Sequence, residues 1–424
     1  MCGADFELHV QDGGIYWRSE RVSIKGVNWF GFETADFALH GLWCTNMQQL
    51  LDFSAQHFNA IRLPFSCELA LNMDGRQPGN IDTSTNPELQ GLTTGQVVDR
   101  FVQGCARRGL LVLLDMHRLA AAGGIPELWY SAEYPESAVL QGWKTMALRY
   151  KDCWNVFAAD LNNEPHGCAS WGDGNVRTDW RMAAERIARV VLAASPRLLI
   201  FVEGVERNGC VQPGESCWWG GHVAAAQKAP IRLPVEGKLV YSPHVYGPDV
   251  HDQPYFSDPS FPDNMPEIWS RHFGFIKQER HGPAICIGEW GGWAKQGGKD
   301  AQWQLKLADW LVENGITDSF YWCLNPNSGD TGGILQDDWA TPHQHKLDIV
   351  GRAHPNPTKW PKGEVTPAAP APEQCQVEAA VDPADFRGAP AACAAKAAAG
   401  AQPAPVPAAA AAVPQSPLQL VKCR

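Results

Sequence analysis

Two glutamates stand where their chemistry is hard to explain as packing. Glu164 lies in DLNNEPHG and Glu289 in CIGEWGG, each at the end of a hydrophobic run with no cation beside it in sequence. A carboxylate there costs desolvation energy unless it is paired or used. Two such groups facing each other can cleave a glycosidic bond: one protonates the leaving oxygen, while the other attacks the anomeric carbon or activates water. The plainer alternative is that either glutamate is half of a buried ion pair, with Arg62 a ready partner.

Other run ends carry side chains suited to supporting that chemistry. AIRLPFS supplies Arg62, LLDMHRL supplies Asp115, His117 and Arg118, YSPHVYGP supplies His244 and Tyr246, and YWCLNPNSG supplies Trp322 and Asn325. Asn163, next to Glu164, is placed to hydrogen-bond a sugar 2-hydroxyl. Arg62 and Tyr246 are suited to holding Glu289 ionised, because a cation and a donor favour the charged form. His117 and His244 can donate to sugar hydroxyls or tune Glu164, although a lone histidine at a strand end is often just a satisfied polar residue. Trp322 suits stacking on a sugar face. The chain holds 18 Trp; Trp43, Trp218 and Trp219 are further candidate platforms, with core packing as the alternative for each.

These residues need a scaffold that brings many strand ends to one place. Eight short apolar runs supply it: Val22–Asn28, Ala60–Pro64, Leu110–His117, Val156–Asn163, Leu198–Glu203, Leu239–His244, Ala284–Glu289 and Ser319–Cys323. They read as parallel strands buried on both faces. Between them Met47–Phe58, Thr94–Arg108 and Trp180–Ala194 repeat apolar residues at helical spacing, with Thr94 and Asp179 as candidate caps. Eight strands alternating with helices predict an α/β (β/α)8 TIM barrel, with enlarged βα loops at 65–93 and 245–265. Its strands four and seven would carry Glu164 and Glu289 to opposite sides of one mouth. A doubly wound sheet would want a glycine-rich phosphate loop, and no GxGxxG or Walker pattern occurs.

Composition narrows the function classes. Across 424 residues the formal net charge is −11, with 19% charged and 45% hydrophobic residues. That balance, without a basic stripe, argues against a nucleic-acid partner. No apolar run approaches the ~18–20 residues of a membrane span. There is no HExxH and no close C-x-x-C pair, so no metal site and no cofactor are expected. His343-Gln344-His345 reads as a solvated helix start rather than a ligand pair. Among 13 Cys, Cys210 and Cys217 bracket a loop short enough to close a disulfide, while Cys105, Cys286 and Cys323 read as buried thiols. MCGADFELHV lacks the basic start and apolar stretch of a signal peptide. Ala and Pro make up half of residues 361–424, which predicts a catalytic domain over 1–360 and a disordered Pro/Ala-rich linker or tail over 361–424.

The motifs IRLPFS, LLDMHR, LNNEPHG, VYSPHVYG, IGEWGG and YWCLNPNSGDTGGIL resemble glycoside hydrolase family 5, specifically its bacterial-type endoglucanases acting on cellulose. GVNWFGFET, HGLW, LLIFVEGV and CWWGG extend the likeness over most of residues 13–350. The resemblance implies a retaining endo-β-1,4-glucanase in which Glu164 is the acid/base and Glu289 the nucleophile. Arg62, His117, Asn163, His244, Tyr246 and Trp322 match the remaining signature positions. It further implies a β-glucan polysaccharide as the substrate partner, a monomer, and an extracellular location. LLDMHRLAAAGG lacks a cysteine that relatives often carry after strand three, which counts against a bridge from Cys44, and CASWG keeps only Cys168 where relatives can have a close pair. Other sugars cut by the same mechanism, such as mannan, and a non-catalytic carbohydrate-binding barrel are the alternative readings.

Overall fold

Runs of Val, Ile, Leu and Ala that are buried on both faces have nowhere to lie but inside a ring of helices, and here they form one. In this computed structural model, residues 6–206, 217–279 and 281–369 are described. The barrel strands are β1 (Lys25–Asn28), β2 (Ala60–Ser66), β3 (Leu111–Arg118), β4 (Val156–Asp160), β5 (Leu199–Val202), β6 (Leu239–Tyr241), β7 and β8 (Ser319–Tyr321). β7 is two segments, Ala284–Ile285 and Ile287–Trp290, broken at Cys286. The first segment pairs with β6 (Ala284 opposite Val240) and the second with β8 (Ile287 opposite Ser319). β8 then pairs with β1, Phe320 opposite Gly26, which closes the ring. Gly26 is required there: a Cβ would fall 2.2 Å from the Phe320 ring. All barrel pairings are parallel, as expected of strands joined by helical crossovers.

The helices are α1 (Met47–His57), α2 (Cys67–Asn72), α3 (Thr94–Arg108), α4 (Glu136–Arg149), α5 (Trp180–Ala194), α6 (Met265–His272), α7 (Lys299–Glu313) and α8 (Gln344–Ala353). Asp179 caps α5, its side chain accepting from the Met182 N–H. The cap of α3 is Thr93 rather than Thr94: Thr93 and Gln96 form a reciprocal capping box, which leaves Thr94 as the first helical residue. Gly109 ends α3 at φ 72, the left-handed position that glycine takes without steric cost. His343 stands at the N-cap position of α8.

Three features go beyond the sequence reading. A small antiparallel sheet (Leu8–Gln11, Gly14–Trp17, Glu20–Arg21) precedes the barrel. The 65–93 and 245–265 loops carry α2 and single 3-10 turns at Pro87–Leu89 and Pro254–Ser257. Packing also continues beyond Trp360. The Gly363 N–H donates to Ala106 O, Val365 is buried, and the Ala368 N–H donates to Arg149 O. The segment 361–369 therefore lies on the barrel, and residues 370–424 fall outside the described residues.

Cys105, Cys286 and Cys323 are buried thiols, and burial pushes all three upward in pKa. The Cys210–Cys217 candidate pairing lies partly outside the described residues. Cys210 is not among them, and Cys217 places its Sγ 3.6 Å from His272 Nδ1. Among the described residues it is Cys168 that is disulfide-bonded.

Candidate active site

The C-terminal ends of the strands converge on one fully buried side chain, Arg62 of β2. Its Nε donates to Asp160 Oδ2 at 3.0 Å, and Nη1 donates to Glu289 Oε1 at 2.6 Å and to Asn28 Oδ1 at 3.1 Å. Nη2 donates to Asn163 Oδ1 at 3.0 Å and to Glu203 Oε1 at 3.2 Å, with Asp115 Oδ1 at 3.1 Å. One guanidinium thus faces four buried carboxyl groups, and in a dry interior they cannot all be ionised.

The arrangement sorts them. Burial pushes Asp115 and Asp160 up to about 7 against the pull of Arg62. Burial together with Asp160 holds Glu203 well above the carboxylate range. Glu289 goes the other way. Its burial is outweighed chiefly by His244 and Arg62 and by the Tyr246 hydroxyl, which donates to Oε2 at 2.6 Å, so its pKa is lowered. Glu289 is the carboxylate of this group that carries the negative charge.

Glu164 is built differently. It follows β4 with φ 52, a left-handed conformation that is uncommon and strained for a side chain of this kind. Its N–H donates to Glu203 Oε2 at 2.8 Å. Its Oε1 meets His244 Nδ1 at 3.2 Å. Burial, with Glu289 adding to it, pushes its pKa up to about 7 despite the His244 contact. A carboxylate oxygen of Glu164, a ring nitrogen of His244 and a carboxylate oxygen of Glu289 all lie within 4.8 Å of one another. One carboxyl is poised to hold a proton and one to hold a charge, at close range over the barrel mouth.

The remaining sequence candidates assemble around this pair. Asn163 gives its carbonyl to Arg62, leaving its buried Nδ2 without a protein partner among the described residues. His117 Nδ1 lies 2.7 Å from Asp115 Oδ2, and burial drives its pKa down to about 3, so the ring is neutral. Trp322 lies nearly parallel to Phe30 (5.5 Å, 9°) and to His117 (5.4 Å, 8°), and its Nε1 donates to Ser328 Oγ. The Trp322–Cys323 peptide is cis. Trp43 is 37% exposed and packs edge-on against His40 and Trp339. Trp218 donates to Tyr246 O, and Trp219 stacks on His166 at 3.7 Å. The Arg118 Nη1 donates to Gly123 O. Asn325 braces β1, exchanging hydrogen bonds with the Phe30 backbone.

Sequence reasoning passed over Asn28, Asp160 and Glu203 as site residues, yet each is a polar residue at the end of an apolar strand, the same signal that singled out Arg62. Two groups here have metal-like geometry, Asp160–Glu203–His244 and Glu164–His244–Glu289. Arg62 already sets its positive charge against Asp160, Glu203 and Glu289, so these oxygens form the shell of a guanidinium.

A family model for cellulase (glycosyl hydrolase family 5) matches residues 21–328. The chain belongs to glycosyl hydrolase family 5. Similar members include an endoglucanase of Paenibacillus polymyxa, 43% identical over 81% of this chain and 86% of that one. The major extracellular endoglucanase of Xanthomonas campestris is 45% identical over 78% of this chain and 67% of that one. Among solved structures, the hyperthermophilic endocellulase of Pyrococcus horikoshii superimposes with a TM-score of 0.78 at 43% identity, covering 83% of this chain and 100% of that one. A cellotetraose complex of the same endocellulase matches with a TM-score of 0.78 at 42% identity, over 82% of this chain and 98% of that one. The family 5 chain described here is a glycosyl hydrolase on a (β/α)8 barrel. No helix of its described residues is long and apolar enough to cross a membrane.

Proposed function

We propose that this hydrolase is a retaining endo-β-1,4-glucanase that cuts cellulose or related β-glucans by double displacement. The observation that carries the reading is the Glu164–His244–Glu289 cluster, with oxygens of the two glutamates inside 4.8 Å. Retaining enzymes hold their carboxyl groups about 5–5.5 Å apart, whereas inverting ones leave roughly 6.5–9.5 Å for a water. The cellotetraose complex of the Pyrococcus relative and the names of the other relatives support a β-1,4-glucan as substrate.

Glu289, ionised by Arg62 and Tyr246, attacks the anomeric carbon and forms a glycosyl-enzyme. Glu164 gives its proton to the departing oxygen. In the second step ionised Glu164 takes a proton from water, which releases the sugar with its starting anomeric configuration and restores both glutamates. The unpartnered Nδ2 of Asn163 donates to the 2-hydroxyl beside the reacting carbon, and Trp322 carries the sugar face. The protein acts as a monomer outside the cell, a setting that fits an insoluble polymer and the extracellular relative of Xanthomonas.

The test is viscosity loss and reducing-end release on soluble carboxymethylcellulose, with glucomannan and xylan alongside, and anomer analysis of early products by NMR. A fast viscosity drop with few new ends and a β-configured first product is expected. Activity on a control polymer alone would replace the substrate, and an α-configured first product would overturn the double displacement.

A further inference from the structure

The acid/base is held by a residue outside the pair itself. Glu203 directly follows β5 and is fully buried, and its two oxygens face different partners. Oε2 accepts the N–H of Glu164 at 2.8 Å. Oε1 accepts from Arg62 Nη2 at 3.2 Å and lies 3.2 Å from His244 Nε2, on the ring edge away from the Nδ1 that meets Glu164. Glu203 therefore touches the backbone of Glu164 directly and its side chain through His244.

The surroundings make this carboxyl a fixed point. The Trp180 indole donates to Glu203 O at 2.9 Å and pins the main chain. Across from it Gly220, at φ 64, lies so close that a Cβ would fall 2.3 Å from Glu203 Oε2. The Gly220 N–H donates to Pro165 O, and Gly220 O accepts the Gly204 N–H, so one loop ties the residue after Glu203 to the residue after Glu164. A left-handed glutamate persists only where its surroundings over-determine it. Here the hydrogen bond to Glu203 and the Gly220 clamp do so.

We propose that Glu203 is a positioning residue for the acid/base: it fixes the left-handed turn that aims Glu164 at the glycosidic oxygen and braces the His244 ring that meets the Glu164 side chain. The groups facing this pair are Arg62 of β2, Asp115 of β3, Asp160 of β4, His244 after β6 and Glu289 of β7. Removing the Glu203 carboxyl leaves the nucleophile its own contacts to Arg62 and Tyr246. The defect falls on proton donation.

The proposal rests on Glu164 being the acid, and leaving-group dependence tests both claims separately. kcat/KM is measured for wild type, Glu203→Gln, Glu203→Asp and Glu164→Gln on p-nitrophenyl cellobioside and on 2,4-dinitrophenyl cellobioside, whose leaving group departs with little protonation. Glu164→Gln should lose about 10²-fold or more on the first and only a few-fold on the second, as general acid catalysis predicts. If it does not, the reading of Glu164 fails. Glu203→Gln should show the same pattern with an unchanged KM and with the basic limb of its pH profile moved. Equal losses of Glu203→Gln on both substrates, beside the expected Glu164→Gln pattern, overturn the positioning role alone. Should Glu203→Gln fail to fold, Glu203→Asp takes its place, since it keeps a carboxyl near Arg62 but draws it back from the Glu164 N–H. A loss confined to the first substrate then supports the positioning role, and equal losses on both overturn it.

Discussion

The Tyr246 hydroxyl donates to Glu289 Oε2 at 2.6 Å, while Arg62 holds the other oxygen of that carboxylate. Burial keeps the phenol well above its usual pKa, so it remains a donor across any working pH. Removing it in Tyr246→Phe withdraws one of the forces that keep Glu289 charged, and the Glu289 pKa rises. Glu289 must be ionised to attack, so the acid limb of kcat/KM should move to higher pH. The loss at the optimum should be about 10- to 100-fold, as for a hydrogen bond to a charged group. A pH–rate profile checks this, and an unmoved acid limb would contradict it.

The basic limb belongs to the other glutamate. Glu164 is pushed up to about 7 by burial, and it must be protonated to act as an acid. Activity should fall as pH rises through roughly that value, giving a bell whose two sides answer to different residues. A substitution at Tyr246 that moved both limbs equally would show that the two carboxyls titrate as one inseparable pair.

Glu289→Gln should lose at least about 10⁴-fold in turnover, because an amide cannot form the glycosyl-enzyme. Its stability should be nearly unchanged. Asp115 and Asp160 both touch Arg62 and are both held near 7, so either can ionise to replace the missing counter-charge. Thermal unfolding by circular dichroism beside a kinetic assay separates the two effects. Near-normal activity would remove Glu289 from the role of nucleophile.

His354 gives a prediction about stability. Its Nε2 shares a 2.7 Å hydrogen bond with Ser319 Oγ, and burial drives its pKa from 6.5 down to about 3. The unfolded chain therefore takes up a proton between about 6.5 and about 3 that the folded chain refuses. The stabilising contribution is complete above 6.5 and is lost as pH falls through that window, at about 1.4 kcal/mol per pH unit for one proton. Buried Asp318, held at about 7, works in the opposite direction: its contribution is full below its ordinary pKa and is lost as pH rises toward 7. The difference between wild type and His354→Gln isolates the histidine. Urea midpoints at pH 6.5 and 4.5 should converge by about one proton's worth, and parallel midpoints would refute the assignment.

Thr93→Ala tests the start of α3. Losing the capping box should cost about 1 kcal/mol with kcat and KM unchanged, since the bonds of Thr93 and Gln96 close on each other and reach none of the catalytic side chains. A urea titration against an activity assay decides it.

The strands are legible because a stave buried on both faces has to be written in Val, Ile, Leu and Ala, and the polar residues that interrupt this writing mark the mouth. That logic locates Arg62, Glu164 and Glu289. It applies equally to Glu203, which sits last in its apolar run and so passes for the end of a strand. The break at Cys286 is invisible because a buried cysteine looks the same inside a strand and between two. The first antiparallel sheet escapes notice although Asp12-Gly13 between LHVQ and GIYW is a hairpin turn signal. Its strands are four residues or fewer, too short for alternation to stand out. The extent of packing beyond Trp360 depends on backbone contacts of Gly363 and Ala368 to α3 and α4, which leave no side-chain signature.

Those last contacts decide how the molecule can be tethered. Trp360 meets Phe6 and Trp17 edge-on, and Phe6 in turn meets Trp154, just ahead of β4. Both ends of the packed body are therefore knotted together at the floor of the barrel, on the side away from the glutamates. A passenger fused after residue 369 or ahead of residue 6 would trail behind the enzyme like a keel, leaving the mouth free to ride along a polymer.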